Sequence, residues 1–178
     1  MHPTDTQSST IELAQADKHF LFRCEQSWFS VPATSVREVT VAPDFVTVPG
    51  CHHAVEGLCR QQSEFIPVIS LAALLDLDSS HERQENNQLL TLLAGSVWAI
   101  RIAEAVGLEH LETIPSQELR TSDCGPSCVI GTSAFDEHVI RVLNPERLYQ
   151  QAQRALEGQW NGRGLRSNPS LSLPGEER

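Results

Sequence analysis

The sequence contains none of the short motifs that would assign it a chemical activity. There is no Gly-x-Ser-x-Gly turn for a nucleophile, no phosphate-binding loop ending in Gly-Lys-Ser/Thr, no Gly-rich dinucleotide turn and no His-Glu-x-x-His zinc motif. A membrane-spanning helix would need a run of about 18 apolar residues, and none is present. The polar start lacks the charged and apolar segments of a signal peptide. We therefore expect a non-enzymatic, cytoplasmic protein with no catalytic residues and no direct membrane insertion.

Basic residues are also scarce. The 178-residue chain carries 13 Lys and Arg against 23 Asp and Glu, which gives a formal net charge of -10. A chain of this charge is repelled by phosphate backbones and by anionic lipid unless its few basic side chains cluster. The charge balance therefore argues against nucleic acid as a partner.

The cysteine pattern is that of reduced thiols. The five cysteines are odd in number and include no Cys-x-x-Cys pair; they are Cys24, Cys51, Cys59, Cys124 and Cys128. Two groups leave a metal site open as an alternative: Cys51-His52-His53 with Cys59, and Cys124-x-x-x-Cys128 with His138. Adjacent ligands rarely reach one ion together, so we predict no metal and no cofactor. Cys51 beside a histidine is likewise a weak candidate for a thiol nucleophile, because a catalytic histidine is usually distant in sequence.

Polar segments divide the chain. Residues 1–17 and 158–178 have few apolar side chains, which predicts flexible tails because they bury too little surface to offset the entropy of ordering. Residues 78–87 are polar throughout and separate the remaining region, 18–157, into two pieces of comparable length. With 40% apolar residues, the chain has enough for one compact domain or two small subdomains in close contact. We interpret 78–87 as a loop or as a seam between two subdomain halves.

Each half has the pattern of short strands joined in hairpins. The turns are predicted at Glu25-Gln26, Gln62-Ser63, Ala94-Gly95-Ser96 and Asp136-Glu137-His138. Ser70 is placed to cap a short helix after the first half, and Asn144-Pro145 to begin a C-terminal amphipathic helix. The sequence therefore predicts an all-β fold of two small five-stranded, barrel-like subdomains packed together, with these two helices.

A series of motifs, taken in order and spacing, resembles the CheW family over about Lys18 to Leu156. The matching residues are Val36-Arg37-Glu38-Val39, Pro49, Gly57, Pro67-Val68-Ile69-Ser70-Leu71, Ile130-Gly131, Asp136, Val139-Ile140-Arg141-Val142-Leu143-Asn144 and Glu146-Arg147-Leu148. The sequence departs from the family at Arg60-Gln61-Gln62-Ser63, where CheW proteins usually carry Asn-Leu-Arg-Gly. Gln62 thus replaces the family's arginine, although Arg60 faces the same side of a strand as Gln62 and is able to reach the same place.

The resemblance implies an adaptor that links chemoreceptors to a histidine kinase, in chemotaxis or a related motility pathway of two-component signalling. Its implied partners are the regulatory domain of a CheA-type histidine kinase and the cytoplasmic tip of a methyl-accepting chemoreceptor. The alternative function is a CheW-like binding module that engages the kinase or another partner without receptor coupling, as the missing arginine permits.

The resemblance also implies two sites: kinase-binding residues at Val36, Arg37, Glu38 and Val39, and receptor-binding residues at Gly57, Arg60, Gln61 and Gln62. Phe45 and Val46 are added to the kinase-binding site because they are apolar side chains in a stretch between strands. Other roles stay open for the first group. Val36 and Val39 are equally compatible with a place in the core, with Arg37 and Glu38 simply exposed to solvent. The alternative for Phe45 and Val46 is that they pack inside a buried loop.

Overall fold

The computed structural model describes residues 18–77, 88–115 and 128–162. The first half holds β1 (Lys18–Cys24), β2 (Ser27–Pro32), a short 3-10 turn (Ala33–Ser35), β3 (Val36–Val41), β4 (Phe45–Val46), β5 (Val55–Gln61), β6 (Glu64–Ile69) and α1 (Leu71–Leu74). The second half holds β7 (Gln88–Ala94), β8 (Ser96–Ile102), β9 (Glu104–His110), β10 (Ile114–Pro115), β11 (Val129–Phe135), β12 (His138–Leu143) and α2 (Pro145–Gly162). All four predicted hairpins are present.

The strands form two six-stranded sheets. Sheet I has the order β4-β5-β6-β8-β7-β3, and sheet II has the order β10-β11-β12-β2-β1-β9. The predicted all-β fold of two packed, barrel-like subdomains is confirmed. Each sheet has six strands where five were predicted, because the two-residue strands β4 and β10 add one strand to each sheet.

The two halves of the chain have the same strand topology. Replacing each strand of sheet I by the strand six places away in the chain gives sheet II, so β1–β6 correspond to β7–β12. Each half also places its first two strands in the sheet of the other half: β1 and β2 lie in sheet II, and β7 and β8 in sheet I. In both sheets the exchanged strands join through a parallel contact, β6 with β8 and β12 with β2. The chain therefore crosses between the two sheets twice, once between β2 and β3 and once between β8 and β9.

Two equivalent glycines show how closely the repeat is kept. Gly57 in β5 and Gly131 in β11 both follow a bulge in their hairpin. A Cβ atom at Gly57 would lie against the carbonyl oxygen of Val46, and one at Gly131 would lie 2.5 Å from the carbonyl oxygen of Ile114. Because only glycine leaves this space, the short strands β4 and β10 are able to pair beside them.

The main core lies between the two sheets. Its fully buried members include Phe22, Phe29, Leu90, Leu92, Trp98 and Ile100. Burying each side chain of this size contributes roughly 1.5–3 kcal/mol. A smaller core lies inside sheet I and contains Cys59, Ile66, Val68, Leu89 and Ala99. Trp28 of β2 lies outside these cores: it is half-buried and stacks on His138 with 4.8 Å between ring centroids.

The two helices begin as the sequence predicts. The Ser70 hydroxyl accepts a hydrogen bond from the Ala73 amide at 3.2 Å, and the Asn144 side-chain oxygen accepts one from the Arg147 amide at 3.0 Å. α2 continues to Gly162, so the first residues of the segment expected to be a C-terminal tail belong to the helix. Residues 1–17 and 163–178, which hold the rest of the predicted tails, and residues 78–87 lie outside the described ranges.

Candidate partner-binding surface

The outer side of the β5–β6 hairpin carries an exposed apolar patch. Strand register places Val46 of β4 opposite Leu58 of β5, and Leu58 opposite Pro67 of β6. The next pair on the same side, two residues along, is Arg60 with Phe65. We call these five residues the hairpin face. Val46 is 73% exposed and Phe65 is 72% exposed, so the patch is open to solvent.

The hairpin face brings together residues that the sequence assigns to two different sites. Val46 is predicted to contact the kinase, and Arg60 is predicted to contact the receptor. In the structure they lie on one side of adjacent strands, two residues apart in register. Phe65 and Leu58 were not among the predicted residues. Because all residues from Phe65 to Ile69 are apolar, the sequence does not predict which of these side chains face outward. Phe65 is identified as exposed only in the structure.

The predicted receptor-binding residues divide between the outside and the inside of sheet I. Arg60 and Gln62 are exposed, and Gln62 occupies the hairpin turn with a φ of 54°. Gly57 is buried at the bulge. The Gln61 amide turns inward, where its nitrogen donates to the Thr91 hydroxyl at 2.9 Å. Gln61 therefore supports the interior of the barrel instead of lining the exposed surface.

The predicted kinase-binding residues of β3 divide in the same way. Val36 and Val39 are half-buried and pack against the main core, as the core interpretation expects. Arg37 is exposed, and its guanidinium lies 3.2 Å from a carboxylate oxygen of Glu64. Arg37 thus forms an ion pair with Glu64, while Glu38 is half-buried. Glu64 lies opposite Gln61 at the tip of the β5–β6 hairpin, so this ion pair lies on the other side of β6 from Phe65 and the hairpin face.

Phe45 holds β4 in position from the inside. Its ring packs against the smaller core, and the Arg101 guanidinium carbon lies 4.8 Å from the ring centroid. Arg101 also forms an ion pair with Glu56, the residue at the β5 bulge. Burial raises the pKa of the Glu56 carboxyl, and the Arg101 charge opposes that rise. Phe45 therefore anchors the strand from which Val46 projects outward.

The cysteine and histidine groups that left a metal site open do not come together in the described part of the chain, where no cluster of three or more potential ligands occurs. Cys59 is buried in the smaller core. The Cys128 thiol donates to the Gln151 side-chain oxygen at 2.7 Å, and burial raises the pKa of this thiol to about 11. Cys124 lies outside the described ranges. The rings of His52 and His53 contact each other at a tilt of 35°, with 4.0 Å between ring centroids.

None of the helices in the described ranges combines the length and the apolar character needed to cross a membrane. The described strands expose several large apolar side chains, among them Val41, Val46, Phe65, Ile114 and Val139. On the hairpin face two of these lie beside the Arg60 guanidinium, a combination that is common in protein interfaces.

Comparison with known proteins identifies the family. Residues 18–153 match the family model of the CheW-like domain, so the chain belongs to this family. Among solved structures it is similar to the scaffolding protein TtCheW from Thermoanaerobacter tengcongensis, with 16% sequence identity and a TM-score of 0.62, over 72% of this chain and 89% of that chain. At this identity the likeness shows the fold alone. No curated protein gives a significant match.

Proposed function

We propose that this CheW-like protein is a cytoplasmic adaptor that links a chemoreceptor to a CheA-type histidine kinase and acts by contact, without catalysis. Family membership supports a chemotaxis scaffold. The hairpin face supports a protein partner, since it exposes a phenylalanine and a valine beside a guanidinium. Large apolar side chains and arginine are the groups that contribute most to protein interfaces.

We assign the hairpin face to the kinase regulatory domain. Val46 belongs to the predicted kinase site, and the register places Leu58, Arg60 and Phe65 on the same face. A specific interface usually involves about 20 to 30 residues on each side. A single hairpin face of five residues is therefore the centre of one interface, and it is too small to serve two partners at once.

The single observation that carries this proposal is the 72% exposure of Phe65. Phe65 has an equivalent in the second half, Val139, which occupies the same place in the β11–β12 hairpin and is 70% exposed. The two positions provide a matched pair of substitutions. The experiment is a titration of the full chain against the regulatory domain of the chemotaxis-type kinase from the same organism, with Phe65→Asp as the test variant and Val139→Asp as the control.

We expect wild-type protein to bind the kinase domain and Phe65→Asp to weaken binding at least about tenfold, because a carboxylate at the centre of an apolar interface loses its hydration. Val139→Asp should bind as wild type does. Absence of binding by folded wild-type protein would overturn the adaptor proposal. Equal loss in both variants would overturn the assignment of the kinase to the hairpin face.

A second candidate function is kinase binding without receptor coupling. It is favoured by the placement of the four predicted receptor residues, because Gly57 is buried and Gln61 is hydrogen-bonded inside the barrel. Gln62 also stands where the family carries arginine. The discriminating test is co-sedimentation of the protein with a receptor cytoplasmic fragment, with and without the kinase. Retention by the receptor alone supports coupling, and retention only through the kinase supports the second candidate.

A further inference from the structure

The outer edge of sheet II is the seven-residue strand β9, which pairs with another described strand on one side only. β9 is hydrogen-bonded to β1, and no strand within residues 18–77, 88–115 and 128–162 pairs with its other edge. Exposed and half-buried residues alternate along the whole strand, and the exposed set includes Val106 and Leu108, the latter 56% exposed. An unpaired edge with apolar side chains is a template for another strand.

The equivalent edge of sheet I is protected by charge. β3 is the last strand of that sheet, as β9 is of sheet II, and both strands carry one extra residue at the same point of the register. In β3 the extra residue is Arg37, which is ion-paired to Glu64. In β9 the corresponding residue is Val106. Charged side chains on edge strands commonly prevent pairing with another chain. β3 has such a charge at Arg37, whereas β9 has the uncharged Val106 at the corresponding position.

The sequence of β9 is complementary to itself in the antiparallel direction. A two-fold axis at Gly107 would place Val106 opposite Leu108 of a second copy, and Glu104 opposite the second copy's His110. On the exposed side of the strand, these pairs match apolar with apolar side chains and a carboxylate with an imidazole. All four residues belong to the exposed set of β9. Such cross-strand pairs each contribute roughly 0.2–1 kcal/mol to an antiparallel contact.

The neighbouring strand sets the charges at the two ends of β9. In the β1–β9 register, Lys18 lies opposite His110, and Arg23 lies opposite Glu104 and forms an ion pair with it at 3.2 Å. In a two-fold pair, the Lys18 end of each copy would approach the ion-paired Glu104 end of the other. A Cβ atom at Gly107 would meet nothing within 4 Å, so the strand is open at the position of the axis.

We propose that two copies of this protein associate through their β9 strands, in antiparallel register about Gly107, and join the two copies of sheet II. A contact limited to one strand from each copy is smaller than a standard interface, so the dimer is weak and forms at high local concentration. The hairpin face belongs to sheet I and takes no part in the pairing. The inference is therefore independent of the proposed function.

The first test is sedimentation of the full chain over a concentration series that reaches about 1 mM, where weak contacts are populated. Wild-type protein should show a reversible monomer–dimer equilibrium, and Leu108→Lys should raise its dissociation constant at least about tenfold. The matched control is Val41→Lys at the exposed end of β3, which should leave the equilibrium unchanged. Monomeric wild-type protein throughout the series overturns the proposal.

The second test measures register. In a background with Cys51→Ser and Cys124→Ser, a mixture of Val106→Cys and Leu108→Cys chains is oxidised and the cross-linked dimer is quantified. The proposed register places these two positions opposite each other, so the mixture should cross-link several times faster than either variant alone. Equal rates in the mixture and in the single variants would overturn the register. Cross-linking that persists when Leu108→Lys is added to the Val106→Cys chain would overturn it as well.

Discussion

The Arg101 guanidinium pairs with the Glu56 carboxylate while it lies over the ring of Phe45, and so connects the end of β8 to the bulge of β5 and to β4. The second half has Ile130 at the place of Glu56, since Ile130 is the residue between the pairings of Val129 and Gly131. The ion pair is therefore a feature of sheet I alone. It lies directly behind the strand that carries Val46 and so supports the hairpin face.

Removing the Arg101 charge should destabilise the protein. The Glu56 side chain is only 20% exposed, so Arg101→Met leaves a partly desolvated carboxylate without its partner. We expect the free energy of unfolding to fall by about 1–3 kcal/mol at pH 7, measured by urea denaturation. The exposed pair of Arg23 with Glu104, where Glu104 is 48% exposed, is the control, and Arg23→Met should change stability by less than about 1 kcal/mol.

The loss caused by Arg101→Met should depend on pH in a defined direction. Burial raises the pKa of Glu56 above its ordinary value of 4.5, and loss of the Arg101 charge removes the main factor that opposes the rise. A carboxyl whose folded-state pKa is raised contributes stability below pH 4.5 and loses it as pH increases through the folded-state value. The deficit of Arg101→Met should thus be smaller at pH 5 than at pH 7. An equal deficit at both pH values would contradict this account of Glu56.

Gly95 allows the C-terminal helix to dock on the β7–β8 turn. Its φ is +69°, and a Cβ atom there would lie 2.5 Å from two carbons of the Tyr149 ring. Gly95→Ala should therefore cost about 1–3 kcal/mol, from backbone strain together with displacement of the ring. Gly95→Ala is introduced into the wild-type protein and into Tyr149→Ala, and the thermal stability of each product is compared with that of its parent. The loss of stability should be smaller in the Tyr149→Ala protein, and an equal loss in both would show that the ring is not involved.

The fold was largely predictable because its signals are local. Turn residues, alternation and the caps at Ser70 and Asn144 gave four hairpins and both helix starts, all of which the structure contains. The exchange of β1–β2 and β7–β8 between the sheets was not predictable. It depends on the parallel contacts of β6 with β8 and of β12 with β2, which join strands far apart in sequence and leave no local pattern.

The candidate surface was predictable only in part, because the sequence does not show toward which side of the sheet each side chain points. Alternation applies to Arg60, which is exposed, and to Gln61, which faces the other side of β5, where Thr91 lies. It does not apply to Gln62, which lies in the turn after β5 with a positive φ. Phe65 was missed because its neighbours Ile66 and Pro67 are also apolar. Its exposure depends on which side of β6 the smaller core occupies, and that is set by tertiary packing with Leu89 and Ala99.

The hydrogen bonds between Gln61 and Thr91 should contribute to stability and not to binding. Thr91 is fully buried, and its hydroxyl bonds the Gln61 amide at 2.9 and 3.2 Å. Gln61→Leu leaves that hydroxyl without its partner and should cost about 1–3 kcal/mol. The double variant Gln61→Leu/Thr91→Val should recover most of the loss, because both polar groups are then replaced. A binding defect in the fully folded double variant would instead assign Gln61 a direct role at an interface.

The thiols should differ sharply in reactivity. Cys24, Cys59 and Cys128 are buried, and burial raises the pKa of each. In a Cys51→Ser/Cys124→Ser variant, the native protein should react with a thiol reagent at pH 8 much more slowly than the urea-unfolded protein, because the thiolate is the reactive form. Rapid reaction of the folded variant would contradict the buried positions of these three side chains.

Cys24 also predicts a loss of stability in alkaline solution. Burial, together with the negative charges of Glu25 and Glu56, raises the pKa of its thiol from 9.0 to about 12. A group with a raised folded-state pKa stabilises the fold fully below the unfolded value, so this contribution should be lost between pH 9 and about 12 and amounts to at most about 4 kcal/mol. Cys24→Ala is less stable at pH 7, because it leaves a cavity, but its free energy of unfolding should fall less steeply above pH 9. Parallel pH profiles for the two proteins would show that this thiol does not ionise on unfolding in that range.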